Sequence, residues 1–266
     1  MLPQLVRIGD FYIPTYGVMI ACGFLVALWM AARLAGRAGF DKEAVLNLGI
    51  YCGLAGILGG KLLMVLEDLD YYLRHPLEIF SLETLRAGGV FYGGLLLALA
   101  TAYFYMRRKR LPVLATADVV APGLALGHAV GRVGCFAAGC CWGVECDRSW
   151  AVTFTDPMAH QLFGTPLGTP LHPAQLYETG TVALTAALLY GLVRREHRPG
   201  TIIGLYLLLY SLARFVIEFF RAPQQPNPFG GPLTVAQWIS VGLFAAGALI
   251  LWRRGRLHLP AAGTNG

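Results

Sequence analysis

FYGGLLLALATAYFYMRRKR, residues 91–110, decides the fold class. An apolar run ends in four consecutive cations, Arg107, Arg108, Lys109 and Arg110. Crossing a bilayer takes about 20 predominantly apolar residues. The pattern recurs along the chain. Seven apolar stretches run approximately over 13–32, 46–66, 89–106, 116–138, 175–193, 201–220 and 233–252. The fourth is the most interrupted, by Asp118, Pro122, His128 and Arg132. Only 14% of the 266 residues are charged and 56% are hydrophobic, where a soluble domain carries roughly 25% charge. The sequence therefore predicts an all-α polytopic membrane protein with seven transmembrane helices.

Basic residues collect in cytoplasmic loops, so the loops set orientation. Arg33, Arg37 and Lys42 follow the first stretch, and the 107–110 run follows the third. Arg194, Arg195, His197 and Arg198 follow the fifth; Arg253, Arg254 and Arg256 follow the seventh. The loop after the second instead holds Glu67, Asp68 and Asp70 with only Arg74 and Arg86, and the loop after the sixth has Arg221 alone. This predicts an outside N-terminus and a cytoplasmic C-terminus. The net charge of +6 is a topology signal; with no basic domain to carry it, no nucleic-acid partner is expected. With only Arg7 before it, the first stretch lacks the basic start of a cleaved leader and is read as a retained span. The expected organisation is one membrane domain, 1–260, with a small extracytoplasmic insert at about 139–174. That insert reads as strand-like at 150–155 and turn-rich at 164–173. A disordered tail, 261–266, is expected to follow.

An ionised side chain inside a bilayer costs on the order of 2.5–3.5 kcal/mol on insertion scales. Arg214 and Glu218 lie four apart in the sixth stretch, on the helix face shared by Tyr210. The plain reading is an ion pair that staples helices; the functional reading is a polar pocket wall. Depth favours the pocket. Tyr16, Tyr92, Arg132, the group Gln175, Tyr177 and Glu178, and the group Arg214, Glu218 and Arg221 all fall toward the outer ends of five different spans. A permeation path needs polar lining through the whole thickness, whereas a one-sided set suits a site facing an external substrate. Arginine keeps its charge when desolvated and grips phosphate bidentately. The abundant anion in a membrane is the phospholipid headgroup, so membrane lipids are the expected substrate class.

Residues 123–143, GLALGHAVGRVGCFAAGCCWG, place Gly123, Gly127, Gly131, Cys135 and Gly139 at every fourth position. Small residues at that spacing let helices approach closely. Packing does not account for Arg132 among them. His128, one turn earlier, either faces the pocket or is packed. Cys135, Cys140, Cys141 and Cys146 cluster near the outer face. A disulfide in an oxidising exterior is the plainest reading, and free packed thiols are the next. The spacing C-x4-C-C-x4-C lacks the usual C-x2–4-C pairs, so no metal site is expected.

At these residues the chain resembles the bacterial prolipoprotein diacylglyceryl transferase family, over nearly its whole length. The resemblance rests on Tyr16-Gly17-Val18-Met19, Gly93-Gly94 and Gly131-Arg132-Val133-Gly134-Cys135-Phe136. It continues in His172-Pro173-Ala174-Gln175-Leu176-Tyr177-Glu178 and in the block from Arg214 to Arg221, RFVIEFFR. It implies transfer of the diacylglyceryl group of phosphatidylglycerol to the lipobox cysteine of a prolipoprotein, with a thioether formed and glycerol phosphate released. It implies no cofactor, and a bacterial inner-membrane enzyme whose site faces outward. It implies that Arg132 and Arg214 handle the lipid phosphate, that Glu218 orients Arg214, and that Tyr16 and Tyr210 line the pocket. His128, Cys135 and Gln175 join the expected substrate-binding set. Three positions depart from the family pattern: Tyr92 stands for a histidine, Cys135 for an asparagine and Cys140 for a glutamate. Glu178, Tyr92, His128 and Cys140 are the expected candidates for taking the thiol proton. Two other readings remain at this point: a related transferase with another acceptor, and a membrane thiol–disulfide protein built on the cysteines.

Overall fold

A computed structural model describes residues 2–8, 11–81, 84, 89–223 and 227–255. Arg86, Arg256 and the expected tail at 261–266 lie outside the described residues. The chain divides into two compact units, Met1–Leu34 with Ala117–Gly266, and Ala35–Thr116.

The first unit opens with an antiparallel pair, β1 (Gln4–Ile8) and β2 (Phe11–Pro14). Leu2 N–H donates to the Ala137 carbonyl at 3.2 Å, so the chain start satisfies a carbonyl that a helix end leaves orphaned. Helix α1 (Thr15–Arg37) follows directly. The second unit holds α2 (Lys42–Glu67), a short α3 (Leu69–Arg74) and α4 (Phe91–Arg108). Asp41 caps α2 by accepting from Glu43 N–H at 2.9 Å. The chain then continues through α5 (Val113–Ala138), β3 (Val152–Thr153), α6 (Pro157–Phe163) and β4 (Pro170–Leu171). Helices α7 (Ala174–Val193), α8 (Thr201–Ile217) and α9 (Val235–Gly255) complete it.

Six of these helices, α1, α2, α5, α7, α8 with its following turn, and α9, are long and apolar enough to cross a membrane. Large apolar side chains stand exposed on them, among them Leu25, Leu58, Leu184 and Leu212. The fully buried positions include the polar Asp118, Gln175 and Glu178. Apolar outside and polar inside is the reverse of a water-soluble protein. The chain is a multi-pass membrane protein. Helix α4 covers the expected third span in 18 residues, but Tyr92, Tyr103, Tyr105, Arg107 and Arg108 dilute its apolar character, and it is not among the six.

The interrupted fourth stretch is a continuous helix, with Pro122 inside α5. Asp118 accepts hydrogen bonds from Gly200 N–H at 2.6 Å and Ile203 N–H at 2.8 Å. A carboxylate from one helix thus caps the N-terminus of another, where unpaired N–H groups and the helix dipole favour negative charge. Ala125, Ala129, Val182 and Ala186 form a core of small side chains joining α5 to α7, with Tyr206 and Tyr210 of α8 packed on it. The glycine ridge works as expected. A Cβ on Gly127 would stand 2.6 Å from the Gly23 carbonyl oxygen, so α1 and α5 meet backbone to backbone.

After α5 the expected strand at 150–155 shortens to Val152–Thr153, and the stretch read as turn-rich, 164–173, contains a second strand. β3 and β4 pair antiparallel, Val152 opposite Leu171 and Thr153 opposite Pro170. Helix α6 was not foreseen; Asp156 caps it by accepting from Met158 N–H at 2.8 Å.

Candidate anion site with a thiol cluster

Arg132 sits in the penultimate turn of α5, one turn after His128. Glu178 comes from the second turn of α7 and is 2% exposed. Its Oε1 lies 3.0 Å from Arg132 Nη2 and 3.1 Å from His128 Nε2. His128 Nε2 is also 3.3 Å from Arg132 Nε. One ring nitrogen either donates to the carboxylate or accepts from the guanidinium, so the tautomer of His128 selects between the two. Either way a buried acid holds a partly buried cation in a fixed direction. A buried charge is tolerated only when paired in this manner.

The second arginine is held by a different acid. Arg214 Nη1 and Glu218 Oε2 are 2.5 Å apart, as the four-residue spacing predicted. Helix α8 ends at Ile217, and Glu218 opens a tighter 3₁₀ turn to Phe220. Its other oxygen accepts from the Thr234 hydroxyl at 3.0 Å, tying the segment before α9 to the pair. Glu178 lies in the electrostatic field of both Arg132 and Arg214. Tyr210 lies in the fields of Arg132, Arg214 and Arg221, and its ring meets His128 edge-on at 5.4 Å. Tyr206 stacks behind Tyr210 at 5.9 Å.

The turn after α5 completes one side. Gln175 Nε2 donates to the Cys140 carbonyl at 2.7 Å, while Gln175 Oε1 is buried without a hydrogen-bond partner among the described residues. A buried acceptor left open in a polar site is available to a ligand's donor. Arg132 Nη1 is 3.9 Å from Cys135 Sγ. Tyr16, at the start of α1, is within electrostatic reach of Arg132 and of Cys135, Cys140 and Cys141. Of the two readings of the cysteines, the structure shows the second: all six are free thiols. Cys146 is buried apart, its N–H on the Pro170 carbonyl. Hydrogen bonds from the Cys135 and Cys140 thiols favour the thiolate of Cys141, helped by the nearby charges of Arg221 and Arg132, and hold it far below an ordinary thiol. The same contacts, with burial, push the Cys140 thiol up.

A backbone ladder that the sequence did not suggest locks the turn in place. Gly143 N–H donates to the His172 carbonyl at 3.0 Å, and Val144 N–H to the Phe220 carbonyl at 3.0 Å. Ala222 N–H donates to the Trp142 carbonyl at 3.2 Å. The 142–144 strand therefore runs between 170–172 and 220–222. A Cβ on Gly143 would meet the His172 carbonyl oxygen at 2.5 Å and the His172 Cβ at 2.6 Å, so only glycine fits. Beside it the Tyr177 hydroxyl accepts from Trp150 Nε1 at 2.8 Å and stands 2.9 Å from His172 Nδ1. Phe220 packs edge-on against the rings of His172 and Tyr177, at 5.2 and 6.0 Å.

Of the expected site residues, Tyr16, His128, Arg132, Cys135, Cys140, Gln175, Glu178, Tyr210, Arg214 and Glu218 all belong to the first unit. Tyr92 belongs to the second, where it opens α4 with its ring edge-on to Phe91 at 5.8 Å. Sequence reasoning passed over Cys141, Thr234 and Trp150 as partners of the site. Only the doubled cysteine hinted at the first, and nothing local marked the other two.

Known proteins place the chain. The family model described as prolipoprotein diacylglyceryl transferase matches residues 3–253. The phosphatidylglycerol–prolipoprotein diacylglyceryl transferase of Clostridium tetani is 33% identical over 251 residues, covering 94% of this chain and 96% of that protein. The transferase of the same name from Vibrio vulnificus is 35% identical over 266 residues, covering 96% and 93%. That from Photobacterium profundum is 34% identical over 257 residues, covering 94% and 92%.

Proposed function

The chain belongs to the prolipoprotein diacylglyceryl transferase family, and from that premise we propose how its site moves a diacylglyceryl group from phosphatidylglycerol to a prolipoprotein cysteine. It is a transferase. The observation that carries the mechanism is the pair of arginines on separate helices, each fixed by its own acid and both felt by one buried carboxylate.

The lipid phosphate sits against Arg132 and Arg214. The thiolate of the lipobox cysteine attacks the glycerol carbon that carries the phosphate ester. The carbon–sulfur bond forms as the carbon–oxygen bond breaks, the electron pair passes to the departing phosphate oxygen, and glycerol phosphate leaves. The arginines are already oriented before that charge develops, so little reorganisation is needed. Glu178 and Glu218 act by positioning them. A thiol with an ordinary pKa near ~8.5 is mostly protonated at neutral pH, so proton removal also limits the rate. Glu178 is engaged by Arg132 and lies in the field of Arg214 as well, so it is assigned to positioning and not to proton transfer. His128, 3.1 Å from Glu178 Oε1, takes the thiol proton in this reading. Tyr16 and Tyr210 line the lipid side of the cradle, and Gln175 Oε1 offers an acceptor for a glycerol hydroxyl.

The proposed setting is a single membrane domain over 1–260 with seven spans, N-terminus outside, in the bacterial inner membrane, with the cradle opening to the extracytoplasmic side. The alternation of basic and acidic loops supports it. The test is mass spectrometry of a lipobox peptide incubated with the purified protein and phosphatidylglycerol. The wild-type protein adds one diacylglyceryl mass to the cysteine. Arg132→Ala and Arg214→Ala each lower the rate by a factor of about 10²–10³. Wild-type rates in either variant would remove the mechanism.

A further inference from the structure

The thiol cluster carries a second site. Helix α5 stops at Ala138, and the chain reverses through Gly139 at φ 82° and Cys141 at φ 61°. Left-handed backbone is ordinary for glycine but uncommon for cysteine, and such a conformation persists where the surroundings enforce it. The enforcement is visible. Cys140 N–H bonds back to the Cys135 carbonyl at 3.1 Å, Gln175 holds the Cys140 carbonyl, and the Thr165 hydroxyl holds the Gly139 carbonyl at 2.9 Å. Gly143 then fixes the outgoing strand. The reversal turns Cys140 and Cys141 back onto Cys135, and the three Sγ atoms lie within 4.8 Å of one another.

Three sulfurs bound to one small ion, each at about 2.3 Å, would stand roughly 4 Å apart. The observed separations, up to 4.8 Å, exceed that spacing by no more than about 1 Å. Thiolates are soft donors and select zinc(II) and copper(I) over hard cations. Two guanidinium groups, Arg132 and Arg221, are within electrostatic reach of Cys141; they offset the surplus negative charge of three thiolates around one ion. The spacing along the sequence argued against a metal, but that argument considers only pairs on one turn. Here a helix end and a left-handed reversal bring together thiols that the spacing keeps apart.

We propose that Cys135, Cys140 and Cys141 form a three-thiolate site for a thiophilic d¹⁰ metal ion, zinc(II) or copper(I). Each coordinating thiol gives up its proton on binding. The site does not rest on the transferase mechanism, and its test does not read transfer.

The full-length protein in detergent is reduced, stripped with a chelator, and titrated anaerobically in separate arms with zinc(II), with copper(I), and with cadmium(II) as a spectroscopic substitute. The expected results are one ion per chain in the zinc or copper arm and a sulfur-to-metal charge-transfer band with cadmium. Alkylation followed by mass spectrometry then finds Cys135, Cys140 and Cys141 protected by metal while the exposed Cys22 still reacts. Cys135→Ser, Cys140→Ser and Cys141→Ser each weaken binding at least tenfold, and Cys146→Ser leaves it unchanged. No stoichiometric binding by the reduced wild-type protein would overturn the proposal. So would equal alkylation of the three cysteines with and without metal. The protection measurement uses the wild-type chain, so a variant that fails to fold does not decide the result.

Discussion

Helices α2 and α4 of the second unit and helices α5, α7 and α8 of the first meet the same difficulty by different means. Lipid is as apolar as leucine, so burying leucine between helices gains little inside a membrane. The α2–α4 pair relies on close approach. Gly59 faces Gly93 and Gly94 faces Gly56, so that a Cβ added at Gly59, Gly93 or Gly94 would collide with a carbonyl across the interface. Cys52 donates to the Ala98 carbonyl at 3.6 Å along the same contact. The α5–α7–α8 group adds something else to its alanine core: buried charge, with Glu178 between Arg132 and His128 and Asp118 capping α8. Backbone contact gives rigidity without chemistry. Buried charge gives both, because each group fixed by a partner is also aimed.

The comparison breaks first at Glu178. Glu178→Ala leaves the partly buried Arg132 without its acid; breaking a fully buried pair costs about 3–5 kcal/mol, and the loss here should fall at or just below the lower end of that range. Thermal unfolding in detergent should register that loss, and transfer should fall with it. Glu178→Gln should retain more stability than activity, since it keeps the shape and loses the charge. If both variants behave like wild type, the charged group is no different in kind from the glycine interface. A smaller effect separates the two regions. Gly59→Ala in the α2–α4 pair should lower stability by about 1–3 kcal/mol, as overpacking does, while the transfer rate per folded molecule stays near wild type. Gly143→Ala should cost a similar amount in stability, but the transfer rate should fall too, because that glycine fixes the turn whose Cys140 carbonyl holds Gln175 in the site. Equal rates in the two variants would dissolve the distinction. The smallest expected change is at Asp118. Asp118→Asn keeps an acceptor at the α8 cap and should cost about 1 kcal/mol or less, with transfer unaffected.

The cysteines mark where sequence reading reached its limit. Arg214 and Glu218 were legible as a pair because helix period alone puts residues four apart on one face. The glycine ridge of α5 was legible for the same reason. The partner of Arg132 was not, since Glu178 lies on another helix and no local rule joins the two. Thr234 reaches Glu218 from beyond α8, and Trp150 reaches Tyr177 from the insert. Disulfide and free thiols both stood open in the sequence, because proximity along the chain does not say how the turn folds; the left-handed Cys141 brings three free thiols together.

Sequence by itself determined the membrane class, the helix positions and the family, because hydropathy and short motifs are local properties that survive without knowledge of packing. It also named nearly all the residues that the structure gathers around Arg132 and Arg214, the proposed anion site. Only the tertiary structure decided how they are used: which acid holds which arginine, why Gly143 must be glycine, and that three thiols share one turn. Those are contacts between segments distant in the chain, and their energies depend on burial and direction, which no one-dimensional pattern encodes.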